Sequence, residues 1–117
     1  MSHFMLSLFI TFTSFFAFVS ANWGVATWYT PNGGLGACGA PSANTDWVIA
    51  LPANRYYEGN GHCWQHVKIE YNGEVTEAVV VDLCPGCAND NIDVTPAVFE
   101  HYASKDKGVI NVNWWFI

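Results

Sequence analysis

The sequence predicts a mainly β fold, a small barrel of five or six strands with one short helix and not a sandwich. Three observations carry that prediction. Gly24–Thr30 (GVATWYT) alternates with period two, Asn72-Gly73 separates two strand-like runs, and Thr95-Pro96 is the one good helix start.

Within Gly24–Thr30, Val25, Thr27 and Tyr29 fall on one side and Ala26, Trp28 and Thr30 on the other, which predicts a strand. Pro31-Asn32-Gly33-Gly34 then forces a turn. Trp47–Leu51 is a short apolar run bounded by Asp46 and Pro52, read as a buried strand with Trp47 in the core. His66–Tyr71 and Glu74–Asp82 flank Asn72-Gly73, and Asn-Gly favours a type I′ hairpin because both residues tolerate positive φ. Thr95 is the expected N-cap and Pro96 the first helical residue of a segment whose Val98, Phe99 and Tyr102 share one face. Val109–Phe116 is the closing strand; Trp114 and Trp115 are adjacent, so one faces in and one out.

Composition narrows the partners. The 117 residues are 51% apolar and 12% charged, with four Lys and Arg against ten Asp and Glu, a net charge of −6. The length suits one domain, and the apolar content rules out a disordered tail. A negative surface gives no electrostatic grip on phosphate backbones, anionic lipid or polyanionic sugars, so nucleic acid is excluded as a partner. A neutral polymer or a small ligand fits better.

Met5–Ala21 is a Phe-rich run without a charge that ends in Val19-Ser20-Ala21, the pattern of a secretory signal. Its leading segment has His3 but no Lys or Arg. The alternative, a membrane anchor, needs ~20 apolar residues, and Ser and Thr dilute this run. The expectation is a signal peptide over residues 1–21, cleaved to leave a single secreted, extracellular domain over 22–117 with no further membrane contact. A monomer is expected.

Cys38, Cys63, Cys84 and Cys87 are an even set in an oxidising compartment, so two disulfides are the default, with three pairings open. Cys84-Pro85-Gly86-Cys87 also has redox-motif spacing, but no βαβ pattern surrounds it. Cys63-x-x-His66 with Cys84-x-x-Cys87 has zinc-ribbon spacing, at the expense of leaving Cys38 unpaired. No metal and no cofactor is expected.

Five segments in order then point to a family: GVATWYT, GACG at Gly36–Gly39, VVVDLCPGC at Val79–Cys87, IDVTPAVFEHYA at Ile92–Ala103, and INVNWWF. Together they resemble the double-psi β-barrel proteins, most of all the small expansin-like, loosenin and rare-lipoprotein-A-like group, with barwin and the first domain of plant expansins further off. The resemblance covers nearly all of Gly24–Ile117 and implies a six-stranded barrel with an open groove. It also implies a Cys38–Cys63 disulfide, leaving Cys84–Cys87.

The resemblance carries the family's groove residues onto Thr27, Tyr29 and Asp93, with Asp82 as a second acid at the end of VVVD. Asp93 lies just before a helix start, where a carboxylate also suits a helix N-terminus; Asp82 also suits a turn that donates backbone hydrogen bonds. Hydrolysis of a glycoside normally needs two carboxylates, and the position matching the base of related endoglucanases is Pro31. The aromatics suit sugar stacking: Trp28 and Trp64 are candidate ligand contacts, although alternation points Trp28 away from Thr27 and Tyr29. Tyr56 and Tyr57 lie in a Gly- and Asn-rich stretch and are expected to be exposed. His62, His66 and His101 receive no catalytic role.

The leading expectation is a non-hydrolytic protein that binds and loosens cell-wall polysaccharide such as cellulose, chitin or a related glucan. One alternative is a glycan-cleaving enzyme, of lytic transglycosylase or endoglucanase type, with Asp93 as general acid. Another is a protein-binding effector or protease inhibitor, in which the loops around Asn54–Gly61 matter more than the groove.

Overall fold

The structure is a computed structural model that describes residues 21–117. The signal-peptide reading therefore lies, except for Ala21, outside the described residues. Six strands close into a barrel: β1 (Asn22–Trp28), β2 (Val48–Pro52), β3 (His66–Tyr71), β4 (Glu74–Cys84), β5 (Ile92–Val94) and β6 (Ile110–Phe116). Their order around the barrel is β1-β5-β2-β4-β3-β6. β1 runs parallel to β5 and β2 parallel to β4, and the remaining neighbours are antiparallel. Full closure leaves no long unpaired edge. Among the described residues the fold is thus mainly β, a six-stranded barrel with one helix longer than a single turn.

The β3–β4 hairpin turns on Asn72 (φ 50°) and Gly73 (φ 85°), both in the left-handed region that a type I′ turn requires. Helix α1 (Ala53–Tyr56) is a single turn that periodicity over four residues could not reveal; α2 (Pro96–Tyr102) is the predicted helix. Thr95 occupies the N-cap of α2, but its hydroxyl makes no capping bond and donates instead to the Asp46 carbonyl. Pro96 at the first helical position, with its φ already set, starts this helix without that bond.

The core gathers Ala26, Ile49, Val67, Val80, Ile92 and Val112 from all six strands' inner faces with Val98 and Phe99 of α2. Trp114 is fully buried and its indole N–H donates to the Asp90 carbonyl over 2.8 Å, so the ring's polar handle is satisfied. Trp115 is only half-buried, on the other face. Trp47, expected in the core, is 39% exposed. It precedes β2, which begins at Val48, and stands edge-on to His101 on the outside of α2.

Disulfides join Cys38 to Cys63 and Cys84 to Cys87. All four thiols are consumed, which removes the zinc-ribbon alternative. Among the described residues no cluster of His, Cys, Asp and Glu is placed to hold a metal ion, and no helix is long and apolar enough to cross a membrane.

Candidate functional site

The strand register builds the site. Thr27 on β1 is paired with Asp93 on β5, Asp93 with Ala50 on β2, and Ala50 with Asp82 on β4. These four residues form one row across four adjacent strands. Directly paired residues project to the same side of a sheet, and Ala26, Ile92, Ile49 and Val80 take the inner side. The row therefore faces outward. Two strand spacings separate the α-carbons of the two acids, roughly 10 Å. Between them Ala50 offers only a methyl group and is itself 3% exposed, so it forms the covered floor of the row.

A bulge puts Asp82 there. Ile49 pairs with Val80 but Ala50 pairs with Asp82, leaving Val81 as an extra residue on β4. Strict alternation from the inward Val80 would have turned Asp82 into the core; the inserted residue reverses its direction. Three consecutive valines, Val79–Val81, are the sequence signal, because alternation cannot place all of them on one face.

Each side chain is held by its neighbours. The Thr27 hydroxyl donates to Asp93 Oδ1 over 3.0 Å. This ties Asp93 to β1, and its contact is with Thr27 rather than with a helix cap. Asp82 Oδ1 accepts from the backbone amides of Ala37 and Leu83, each over 2.8 Å. Asp82 lies within β4 rather than in a turn and is anchored by backbone donors while it borders the row.

Tyr29 lies just past β1, and its amide extends the β1–β5 ladder by donating to Val94 O over 2.9 Å. Its hydroxyl oxygen is buried without a hydrogen-bond partner among the described residues. Burial pushes this phenol well above its usual range, and the charges of Asp82 and then Asp93 add to the effect. Asp93 is also raised, chiefly by burial, with Asp82 adding and the Thr27 hydrogen bond opposing. A buried hydroxyl without a partner costs about 1–3 kcal/mol, and such a group beside two acids is a common mark of a ligand site.

The loop before β2 closes one side of the row. Cys38 N–H donates to Val81 O over 3.0 Å and Trp64 N–H to Val80 O over 2.8 Å, and the Cys38–Cys63 disulfide ties these two segments together. Trp64 is 50% exposed with φ at 70°, a strained conformation for an aromatic residue. Gly36 packs directly on β4: a Cβ there would sit 2.5 Å from Val81 O and 3.2 Å from the Asp82 carboxyl carbon. Gly36→Ala is therefore expected to push the loop off Asp82 and lower stability by about 1–3 kcal/mol. Urea denaturation checks this; an unchanged midpoint would contradict it.

Trp28 does not join the row. It lies on the other face of β1, packs against the core, donates its indole N–H to Lys105 O over 3.0 Å and carries the Lys105 ammonium 5.2 Å from its ring centre. The alternation of β1 prevails over its candidate role as a ligand contact. A separate hollow of about 340 Å³ is lined by Tyr56, Tyr57, Gly59, Asn60, Gly61 and Cys63. Tyr57 is 69% exposed there, whereas Tyr56 packs partly against the core from α1. Gly59 and Gly61 have positive φ, which shapes this loop.

Comparisons with known proteins fit this architecture. No protein-family model matches the chain. It is 36% identical over 101 residues to a papain inhibitor of Streptomyces mobaraensis, spanning 80% of this chain and 70% of that one. An allergen homologue of Arthroderma benhamiae is 40% identical over 80 residues, 65% of this chain but only 27% of the allergen. Among solved structures, the Streptomyces papain inhibitor superposes with a TM-score of 0.74 at 32% identity, over 84% of this chain and 94% of its own. An expansin of Clavibacter michiganensis, solved in complex with cellohexaose, gives a TM-score of 0.73 at 20% identity. That match covers 84% of this chain and 50% of the expansin.

Proposed function

The chain belongs to the family of the Streptomyces papain inhibitor and has an expansin-like double-psi barrel, and on that footing we propose that it is a secreted protein that binds neutral cell-wall polysaccharide without hydrolysing it. The observation that carries this reading is the outward row of Thr27, Asp93, Ala50 and Asp82, with the buried Tyr29 hydroxyl beside it. A polar strip of one hydroxyl and two part-exposed carboxylates suits a polymer that runs across it. Hydroxyl and carboxylate groups meet sugar hydroxyls, and Trp64 at the margin supplies a face for stacking. Two carboxylates and a net charge of −6 favour an uncharged glycan. Two disulfides suit an extracellular setting.

Loosening would follow from differential binding. A groove that fits a separated glycan better than one packed among its neighbours shifts the equilibrium toward separation by the difference in affinity. Cleavage is disfavoured because Pro31 occupies the position of the missing base and Asp82 Oδ1 is spent on two backbone donors.

A second reading is inhibition of a cysteine protease. It is favoured by the papain inhibitor's 36% identity and by the aromatic hollow lined by Tyr56, Tyr57 and Cys63, none of which belongs to the acidic row. One experiment separates the readings. Purified protein is incubated with insoluble cellulose, chitin and peptidoglycan, with depletion and released sugar both measured, and the same preparation is assayed against papain. Retention on a polysaccharide without released sugar supports the proposal. Released sugar makes the protein a glycan-cleaving enzyme; papain inhibition without retention makes it an inhibitor.

A further inference from the structure

We propose that Trp23 and Trp115 form an aromatic platform that holds the distal part of a neutral glycan chain whose other part lies in the Thr27–Asp93 groove. This inference rests on the glycan-binding reading of the groove and extends it along the barrel. Trp23 is 72% exposed, near the start of β1. Alternation along β1 buries Asn22 and Ala26 and turns Trp23 to the same outer face as Thr27 and Tyr29. Thr27 is four residue steps beyond Trp23, about 13 Å along the strand. The platform thus shares the outer face of β1 with Thr27 and lies beyond the reach of a single sugar ring.

The register supplies the rest of the surface. Trp23 is directly opposite Asn113 on β6, and Trp115 is the next outward residue on that strand. The two tryptophans are therefore diagonal neighbours, on the order of 7–8 Å apart, with the Asn113 amide between them. Asn113 Oδ1 is buried there without a hydrogen-bond partner among the described residues, so the contact surface is that of the two rings. Flat apolar rings match a pyranose, whose C–H faces are apolar. On β3, Trp115 faces Lys68 and Asn113 faces Glu70, while Lys68 is paired with Glu77 on β4. One ammonium between two carboxylates leaves no excess of positive charge to attract an anion, so the occupant that fits is an uncharged chain.

The test uses glucose oligomers of two and six units with wild-type protein, Trp23→Ala, Trp115→Ala and Asp93→Asn, binding being read by calorimetry or NMR titration. Trp23→Ala is expected to weaken binding of the six-unit oligomer roughly tenfold, leave the two-unit oligomer unaffected and keep the thermal midpoint, since the side chain is exposed. Trp115→Ala should act in the same direction. If both tryptophan variants bind the long oligomer like wild type while Asp93→Asn binds it more weakly, the platform is refuted and the groove stands. If wild type binds neither oligomer, or Asp93→Asn is as effective as wild type, the groove reading fails and the platform with it.

Discussion

Replacing Asp93 by Asn is expected to weaken polysaccharide retention by at least tenfold while making the protein more stable at neutral pH. The first effect follows from losing a charged hydrogen-bonding group at the centre of the row, worth about 1.5–3 kcal/mol. The second follows from its burial. Asp93 is raised in the folded protein, above its unfolded value, chiefly because burial penalises the charged form. The folded state therefore binds the proton more tightly, and stability falls as pH rises from the unfolded pKa through the folded one. Above that window the carboxylate destabilises the fold. Asn is uncharged, keeps an oxygen that can accept from Thr27, and removes the penalty. The thermal midpoint of Asp93→Asn should exceed that of wild type at pH 7, and the difference should vanish on acidification below the carboxylate range. Melting curves across that range check it. An Asn variant less stable than wild type at pH 7 would mean that Asp93 serves the fold, and the case for a functional acid would fall.

Removing the Cys38–Cys63 disulfide by paired alanine substitution is expected to cost about 3.5 kcal/mol on the loop-entropy account, because the bond closes a separation of 25 residues. The consequence should reach the groove. The bond ties the segment that donates from Ala37 to Asp82 to the segment that carries Trp64. Loss of the tie should free both and weaken glycan retention as well as stability. The Cys84–Cys87 bond closes a separation of only three residues, and the same account gives it about 1.6 kcal/mol. Chemical denaturation of the two paired variants measures the contrast. Equal losses would show that strain or residual structure in the unfolded chain outweighs loop length.

Much of this architecture is legible in the sequence because local signals and the fold agree. Period two marks β1, Asn72-Gly73 marks the hairpin, and Thr95-Pro96 marks the start of α2. The site is only half legible. Thr27 and Tyr29 sharing one face follows from alternation alone. Bringing Asp82 and Asp93 to either side of Ala50 does not, because it depends on two non-local pairings and on the Val81 bulge. Asp82 would otherwise have turned inward. β5 spans three residues, too few for a periodic pattern to register. Trp47 misleads for a related reason: its apolar run continues into β2, but the ladder of β2 starts one residue later. Trp23 and Trp115 are both visible as aromatics, yet only the β1–β6 register makes them neighbours.

The most direct test of the groove is an NMR titration of isotopically labelled protein with cellohexaose, following backbone amides and the Tyr29 ring. Saturable shifts are expected at Thr27, Tyr29, Asp82 and Asp93, with the flanking segment around Gly36–Cys38 moving as well. Shifts confined to Tyr56–Gly61, or none at all at a concentration where the protein is retained on no polysaccharide, would contradict the groove reading and turn attention to a protein partner.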